Sequence, residues 1–403
     1  MAASPPADQI QRVDGGVSVV VNGQDFVRVR GIHFELRGRP FYSNGFNAYW
    51  LMNVAADPEQ RFRITEAFQQ AANPGMSIVR TWAFSTLDSD HLLISPVHGL
   101  DFVLAEARRN GVYLILSLVN NFDNNVGGEK YRYVQWAIER GQSISNVDEF
   151  FTNELVRGFY RDHVRAVVTR VNTFTNVTYR DDPTIFAWEL MNEPRSPSDL
   201  SGRAIQDWVT TMASYVKSLD SNHLLEIGIE GFYGYSTPNR LQYNPGFQIG
   251  TDYIRNNQIP GIDFTTIHAY PDQWTQESDE QSQLNFLNRW LQSHIQDTAS
   301  ILGKPLLVAE FGRSVRLDGY YTGQRDMFFS TIYNTIYGCA QSEGPCAGAL
   351  FWHLLVEGME NYSDGYEVIL SEHTSTANII LQQSRQISSL RGQNYSTTML
   401  GLN

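Results

Sequence analysis

Short apolar runs alternate along the chain with longer amphipathic segments. The short runs are rich in β-branched and aromatic residues, as the strands of a buried parallel sheet are. They lie at 41–49, 77–84, 112–119, 185–193, 224–231, 263–270, 305–312 and 348–355. Four of the longer segments carry apolar residues at helical spacing, and they lie at 59–72, 147–171, 205–219 and 284–302. Eight strands that alternate with helices predict an α/β fold, a closed (β/α)8 TIM barrel.

The chief alternative is an open doubly wound sheet, which more often carries a glycine-rich nucleotide turn after its first strand. The first strand here leads into Asn47 and an aromatic segment without such a turn. Most intervals between strands are about 35 to 43 residues, which is room for one helix and two loops. The third interval is near 70 residues and predicts an insertion or an extended helix. Asp148 is a candidate N-cap there, and Gly111 is predicted to end another helix.

Two segments before the barrel, 17–29 and 32–41, have the pattern of hairpin strands. Asn22-Gly23 and Arg37-Gly38 supply their turn residues. We therefore expect residues 1–40 to form an N-terminal extension with a β-hairpin that caps one end of the barrel. Residues 41–403 are expected to form the barrel with its extended βα loops, as one domain overall.

Composition excludes several classes of protein. The chain has 403 residues, 42% of them hydrophobic, which is typical of a globular protein and not of a disordered one. Its formal net charge of -13 disfavours nucleic acid as a partner, because phosphate selects a basic surface. The chain contains no run of about 18 apolar residues, so no membrane span is predicted. The N-terminus has neither the basic nor the apolar region of a signal peptide.

Two cysteines, Cys339 and Cys346, flank a Gly- and Pro-containing loop. They could close a small disulfide or remain as buried thiols. They are too few for a structural zinc site, so no metal is predicted from them. Three Asn-x-Ser/Thr triplets, at Asn176, Asn361 and Asn394, give weak support for secretion.

Polar and aromatic residues occur where the predicted strands end. They are Asn47, Arg80, Trp82, Asn120, Asn121, Asn192, Glu193, Glu230, His268, Tyr270, Glu310 and Trp352. Any one of them could be a surface loop residue or a satisfied core group. In a (β/α)8 barrel, however, the carboxyl ends of all strands meet at one face, and that face carries the chemistry. The set as a whole predicts a functional site there.

Two carboxylates in this set, Glu193 and Glu310, follow apolar runs, where an ionised group is costly unless it is used or paired. Paired carboxylates that face a cleft are typical of glycoside hydrolysis, in which one is the acid and the other the nucleophile or base. Such a pair could also bind magnesium, as in enolase-like barrels. The aromatic residues Trp82, Tyr270 and Trp352 favour a sugar, because the C–H faces of sugar rings pack on flat side chains.

Charge and setting predict different states for the two carboxylates. Arg80 beside Glu310 would keep that carboxylate ionised at neutral pH, although Arg80 could instead form a salt bridge that closes the barrel. An apolar setting would raise the pKa of Glu193 and leave it protonated as an acid. Glu189 lies earlier in the same strand, and we expect it to have a structural, hydrogen-bonded role.

The motifs around these residues resemble those of a known family. Clan A retaining glycoside hydrolases have acid/base and nucleophile motifs similar to WELMNEP at 188–194 and VAEFG at 308–312. With RTW at 80–82, HAYP at 268–271 and LFWHL at 350–354, the chain resembles glycoside hydrolase family 5. From about Phe41 to about Leu390 it is similar to plant-type endo-β-1,4-mannanases.

This resemblance implies a retaining endo-β-1,4-mannanase with Glu193 as the acid/base and Glu310 as the nucleophile. It implies that Asn192 contacts the sugar 2-hydroxyl and that Trp352 is the stacking floor. Further positioning or binding roles fall to Arg80, Trp82, Arg195, His268 and Tyr270. The implied partner is β-mannan, no cofactor is implied, and the implied location is extracellular.

Several alternatives stay open. The residues also suit a related endo-β-1,4-glucanase, a mannan transglycosylase, a non-catalytic carbohydrate-binding barrel or a metal-dependent barrel lyase. Retention predicts carboxyl groups about 5 to 5.5 Å apart, whereas inversion predicts a gap nearer 8 Å. The loop at 85–99 is shorter than in the resembled family. Trp136 and Trp274 either extend the cleft or pack as ordinary loop residues.

Overall fold

The computed structural model describes residues 25–72, 75–84, 96–122, 129–246, 248–275 and 279–391. The predicted Asn22-Gly23 turn and most of the first predicted hairpin strand lie outside these residues. The Asn394 triplet and most of the loop at 85–99 also lie outside them.

A three-stranded antiparallel sheet begins the described chain. It consists of β1 (Arg28–Arg30), β2 (His33–Leu36) and β3 (Arg39–Pro40). Arg37 and Gly38 connect β2 to β3 with φ of +54° and +74°. Two positive φ values in a two-residue turn match the right-handed twist of a hairpin, as the Arg37-Gly38 signal predicted.

Eight parallel strands form the barrel. They are β4 (Gly45–Asn47), β5 (Ile78–Trp82), β6 (Tyr113–Ser117), β7 (Ile185–Glu189), β8 (Leu224–Glu226), β9 (Thr265–Ala269), β10 (Leu306–Phe311) and β11 (Cys346–Phe351). Their order is β8-β7-β6-β5-β4-β11-β10-β9. Backbone hydrogen bonds join the two edge segments, from Asp263 N to Leu225 O at 2.8 Å and from His268 N to Glu230 O at 2.9 Å. The predicted eight-stranded barrel is confirmed.

Helices cover the outside of the barrel. They are α1 (Leu51–Ala56), α2 (Arg61–Ala72), α3 (Pro96–Asn110), α4 (Lys130–Glu139), α5 (Glu154–Val168), α6 (Arg203–Leu219), α7 (Tyr253–Asn257), α8 (Pro271–Trp274), α9 (Glu280–Asp297), α10 (Thr322–Gln341) and α11 (Thr374–Ser389). Two short strands, β12 (Leu354–Leu355) and β13 (Val368–Ile369), pair outside the barrel. Across the described ranges, no helix combines the length and the apolar character that crossing a bilayer requires.

The amino-terminal end of the barrel is filled by aromatic and aliphatic side chains. Phe34 of β2 meets Phe186 and Phe264 edge to face, with ring centroids 4.9 and 5.1 Å apart. The surrounding cluster of buried residues includes Ile78, Ile115, Leu224, Leu307 and Leu350. The antiparallel sheet therefore packs its apolar face onto this end of the barrel.

Several predicted boundaries are wrong. The first strand was predicted over 41–49 but is a regular strand only over Gly45–Asn47. Its flanks are buried and reach the neighbouring strands through single hydrogen bonds, from Ser43 N to Ala347 O and from Ala48 N to Arg80 O. The predicted helix over 147–171 is split into a 3₁₀ turn at Val147–Phe151 and α5. Asp148 is not an N-cap, since the side chains of Asn146 and Asn153 cap the two pieces. The long third interval holds α4 as well as α5.

Cys339 of α10 and Cys346 of β11 form a disulfide with a Cα–Cα distance of 5.8 Å. The bridge ties the end of the last long outer helix before the eighth strand to the start of that strand. Of the two interpretations that the sequence allowed, the disulfide is the one the structure contains.

Candidate active site

The carboxyl ends of the barrel strands hold a cluster of buried charged side chains. Glu310 lies on β10, and Glu193 lies in the segment that follows β7. Glu193 has φ of +49°, an uncommon backbone state for a residue with a side chain, and its N–H donates to Gly228 O at 2.8 Å. A Cβ at Gly228 would lie 1.9 Å from Met191 O, so only glycine allows this close approach. The backbone is thus shaped to direct Glu193 into the site.

His268 of β9 lies between the two carboxylates. Its Nδ1 is 2.5 Å from Glu193 Oε1 and 3.6 Å from Glu310 Oε2. One oxygen of each glutamate and a ring nitrogen of His268 lie within 4.8 Å of one another. Burial lowers the pKa of His268, while Glu310 raises it. A neutral imidazole can donate its Nδ1–H to Glu193, whereas Glu310 is close enough to act on His268 by charge but lies beyond hydrogen-bond distance.

Arg80 of β5 is fully buried and uses all of its guanidinium N–H groups. It donates to both oxygens of Glu189, at 2.5 and 2.7 Å, and to Glu310 Oε1 at 2.5 Å. The remaining two N–H groups donate to Asn47 Oδ1 at 3.0 Å and Asn192 Oδ1 at 2.7 Å. An arginine with every donor satisfied is fixed in position. Glu189 has the structural, hydrogen-bonded place that its position earlier in the strand predicted.

Glu310 accepts a second hydrogen bond, from the hydroxyl of Tyr270 at 2.9 Å. Burial raises the pKa of Glu310, although His268, Arg80 and the Tyr270 hydrogen bond lower it. Arg80 acts on the pKa of Glu310 in the direction that we predicted, since it lowers it, but burial has the larger effect. The physical reason is that Arg80 divides its charge between Glu310 and Glu189, so it only partly offsets the loss of water.

The pKa of Glu193 is shifted more strongly than that of Glu310. Burial raises its pKa to about 7, with Arg195 and Arg80 acting in the opposite direction. A carboxyl that titrates near neutrality can hold a proton and release it during a reaction. The apolar setting inferred from the sequence has the effect on Glu193 that we expected.

Arg195 follows Glu193 in the chain and pairs with Glu230 beyond β8. Its Nε and Nη2 lie 2.9 and 2.5 Å from the two Glu230 oxygens. Burial and the neighbouring Glu193 raise the pKa of Glu230 to about 8 despite this ion pair. The Arg195 guanidinium also lies over the rings of Phe122 and Phe232, at 5.1 and 5.9 Å. Glu230 was seen in the sequence only as a strand-end residue, without a role.

Aromatic side chains form one wall of the site. Trp352 stacks on Tyr49 with ring centroids 5.7 Å apart and planes 9° apart. Trp82 lies 6.0 Å from Trp352, and the Arg80 guanidinium lies 5.0 Å from the Trp82 ring centroid. The indole N–H of Trp352 donates to Asp364 at 2.6 Å, which fixes the ring. Asp364 lies in the segment of family resemblance, but the sequence analysis gave it no role in the site.

Other predicted or missed residues have clear places. Asn192 Nδ2 donates to Asn120 Oδ1 at 2.9 Å, which holds its amide in one orientation. Glu226 of β8 is fully buried beside Glu189 and was not singled out, although it interrupts an apolar run as Glu189 does. Trp136 is buried against Tyr133, so it packs in the core and does not extend the cleft.

Two groups of described side chains could geometrically hold a metal ion. The first is Glu193, His268 and Glu310, and the second is His353, Asp364 and Glu367. In the first group Arg80 already contacts Glu310, and its charge would repel a second cation. In the second, the carboxylates accept hydrogen bonds from Trp352, Ser363 and backbone amides. Both groups therefore have their charge or lone pairs engaged by the protein itself.

Fold and site together define a class. A (β/α)8 barrel with two facing glutamates and an aromatic wall at its carboxyl face is a glycoside hydrolase arrangement. The chain belongs to glycoside hydrolase family 5, since a family model described as GH family 5 beta-mannosidase-like matches residues 24–364.

Relatives extend over nearly the whole chain. It is 56% identical over 373 residues to mannan endo-1,4-beta-mannosidase 7 of Arabidopsis thaliana, covering 91% of this chain and 86% of that protein. It is 54% identical over 383 residues to mannan endo-1,4-beta-mannosidase 1 of Oryza sativa subsp. japonica, covering 93% and 88%. The solved endo-1,4-beta-mannanase from Rhizomucor miehei is 26% identical with a TM-score of 0.74, covering 91% and 99%.

Proposed function

We propose that this chain is a retaining endo-β-1,4-mannanase, which cleaves internal bonds of mannan, glucomannan and galactomannan. The observation that carries the proposal is the spacing of Glu193 and Glu310, whose oxygens approach within 4.8 Å. Retaining enzymes hold their carboxyl groups about 5 to 5.5 Å apart, too close for the water that inversion places between them. The plant relatives named as mannan endo-1,4-beta-mannosidases support mannan as the substrate.

In the first step Glu310 attacks the anomeric carbon and forms a glycosyl-enzyme. Glu193 gives its proton to the leaving glycosidic oxygen as that bond breaks. Tyr270 and Arg80 hold Glu310 from two sides, at 2.9 and 2.5 Å, so the attacking oxygen is oriented before the substrate binds. The raised pKa of Glu193 supports its role as the acid.

In the second step Glu193, now ionised, takes a proton from water, and that water displaces Glu310 from the sugar. His268 Nδ1 is 2.5 Å from Glu193 Oε1, so its N–H can stabilise Glu193 while that carboxylate is ionised. The negative charge therefore lies on Glu310 before the first step and on Glu193 in the glycosyl-enzyme. This arrangement supports a cycle in which each glutamate is ionised in turn.

Substrate contacts follow from the same geometry. Trp352 offers a fixed ring face to the sugar before the cut, and Trp82 continues that wall. Asn192 has one amide N–H beyond its bond to Asn120, and it can donate that group to the sugar 2-hydroxyl. Arg195, 30% exposed and held by Glu230, is placed to contact the sugars beyond the scissile bond.

Secretion and action on cell-wall mannan belong to this proposal. A structural disulfide such as Cys339–Cys346 persists in oxidising compartments. Asn176 and Asn361, in their sequons, are both exposed and accessible to glycosylation. Both features support an extracellular enzyme.

The deciding experiment compares initial rates on soluble galactomannan, carboxymethyl-cellulose and xylan, with proton NMR of the first product formed from a mannan oligosaccharide. We expect hydrolysis of galactomannan far above the other two, a β-anomeric first product, and no effect of a chelator. Faster hydrolysis of carboxymethyl-cellulose would contradict the substrate. An α-anomeric first product would contradict retention, and loss of activity with EDTA that magnesium restores would favour a metal-dependent enzyme.

A further inference from the structure

Below the two catalytic candidates lies a second pair of glutamates. Glu226 of β8 and Glu189 of β7 are both fully buried, and their carboxyl groups are close enough to share a hydrogen bond if one of them carries a proton. Glu189 is occupied by the bidentate contact with Arg80. Within the described residues, the charged groups that act on the Glu226 carboxyl are Glu189 on β7 and Arg80 on β5. β9 contributes the Thr266 hydroxyl.

The contacts of Glu226 fit a neutral acid. Its Oε2 accepts from Gly228 N at 2.5 Å and from Thr266 Oγ1 at 2.9 Å. Its buried Oε1 has no donor from a neighbouring protein group. An ionised oxygen there would be unsatisfied and would lie against the charge of Glu189. A proton on Oε1 resolves both problems, because the O–H then donates to Glu189.

Glu226 is connected to both catalytic candidates. Through Glu189 it supports Arg80, which contacts Glu310. Through Gly228 it supports the backbone of Glu193, because the Gly228 N–H donates to Glu226 while the Gly228 carbonyl accepts from Glu193 N. One buried carboxyl therefore contributes to the position of both catalytic candidates, one on β10 and the other in the segment that follows β7.

We propose that Glu226 is a positioning residue, a neutral carboxylic acid that holds Glu310 through Glu189 and Arg80 and holds Glu193 through the Gly228 peptide. This inference rests on the proposed function, since it assigns the reacting roles to Glu193 and Glu310. Burial and Glu189 raise the pKa of Glu226 well above its usual range, which agrees with the contacts. Thr266 and Gly228 fix which oxygen carries the proton.

The first test compares Glu226→Gln with Glu226→Ala on a mannan oligosaccharide, with Glu106→Gln on α3 as a matched control remote from the site. Glutamine keeps a donor toward Glu189 and an acceptor toward Gly228 and Thr266. We expect Glu226→Gln to retain kcat within about threefold, with no shift in the acidic side of the profile of kcat against pH. We expect Glu226→Ala to lose about 10- to 100-fold in kcat with KM nearly unchanged. The rates are normalised to the folded fraction.

Two outcomes would overturn the proposal. If Glu226→Ala matches Glu106→Gln in kcat, the residue is merely structural. If Glu226→Gln is as impaired as Glu226→Ala, or shifts the acid limb by about one pH unit, then Glu226 is ionised in the protein.

A second measurement decides the protonation state even if Glu226→Ala does not fold or mannan proves not to be the substrate. Infrared spectra of wild type and Glu226→Gln are compared at about pH 9, above the pKa of about 7 for Glu193 and of about 8 for Glu230. We expect the carbonyl band of a buried protonated carboxyl in wild type and in Glu106→Gln, and its loss in Glu226→Gln. The absence of that band from wild type overturns the proposal independently of any activity.

Discussion

Side chains at both ends of the barrel are buried, but the two ends differ in chemistry. At the amino end Phe34, Phe186 and Phe264 meet edge to face within a cluster of buried apolar side chains. At the carboxyl end, Arg80 and Glu310 are buried to a similar degree. Burial of apolar surface stabilises a fold, whereas burial of a charge costs free energy unless a partner offsets the cost.

The difference shows how one fold separates stability from catalysis. The aromatic end can provide cohesion with no demand on geometry beyond close packing. The charged end must satisfy each donor and acceptor, and the Arg80 network does so with five hydrogen bonds. Substitutions at the two ends should therefore change different observables.

The largest expected effect is loss of activity on removing Glu310, the proposed nucleophile. We expect Glu310→Ala to lower kcat on galactomannan by about five orders of magnitude, because the covalent step is lost. Arg80 keeps its bidentate contact with Glu189, so the chain should still fold and bind oligosaccharide. Activity assays and calorimetric binding check both parts. Residual kcat above about 1% of wild type would show that Glu310 is not the nucleophile.

The next effect is loss of stability at the opposite end. Phe34 is 1% exposed, and Phe34→Ala should lower the free energy of unfolding by about 3 to 5 kcal/mol through the cavity it leaves. Since the antiparallel sheet packs on the barrel, we expect one unfolding transition and an unchanged kcat for the folded fraction. Urea unfolding with an activity assay measures both.

A matched control is Phe62→Ala on α2, where the ring is 58% exposed. It should change the free energy of unfolding by less than about 0.5 kcal/mol. Two separate transitions in the Phe34→Ala variant would contradict a single domain that includes the N-terminal sheet.

The sequence carries most of the fold because burial leaves a periodic signal. Eight apolar runs predicted eight strands, and all eight form the barrel. Strand ends were less accurate, because residues such as Phe41 are buried beside the ladder without pairing in it. The predicted helix divides into a 3₁₀ turn and α5 because Asn146 and Asn153 cap the two pieces. Hydrophobic periodicity gives no information about such capping hydrogen bonds.

The site was predictable as a set of residues but not as a network. Strand-end position and motif resemblance singled out Glu193, Glu310 and Arg80. Neither signal could show that Arg80 is shared with Glu189, which limits how far Arg80 offsets the effect of burial on the pKa of Glu310. The carboxylates that pair with Arg80 come from different strands, and the distances between side chains of different strands cannot be obtained from one sequence.

The smallest expected effect is the dependence of kcat/KM on pH. It follows directly from the burial of the carboxyl groups at the carboxyl end of the barrel. Burial raises the pKa of Glu193, the proposed acid, to about 7, so its carboxyl is protonated below that value and loses its proton above it. We expect kcat/KM on a mannan oligosaccharide to fall about tenfold per pH unit above neutrality. The raised pKa also means that protonated Glu193 contributes stability fully below its unfolded pKa near 4, and that this contribution is lost as the pH rises through about 7.

Glu230 titrates nearby, at about 8, so the alkaline limb must be assigned to one carboxyl. A mannobioside with a dinitrophenyl leaving group provides the control, because that group departs without a proton. If Glu193 is the acid, the alkaline limb disappears with this substrate, and Glu193→Gln still forms the glycosyl-enzyme from it. If the fall in kcat/KM above neutral pH persists with the dinitrophenyl substrate and in Glu193→Gln, it belongs to Glu230. The pKa of Glu193 would then not set the pH range in which the enzyme is active.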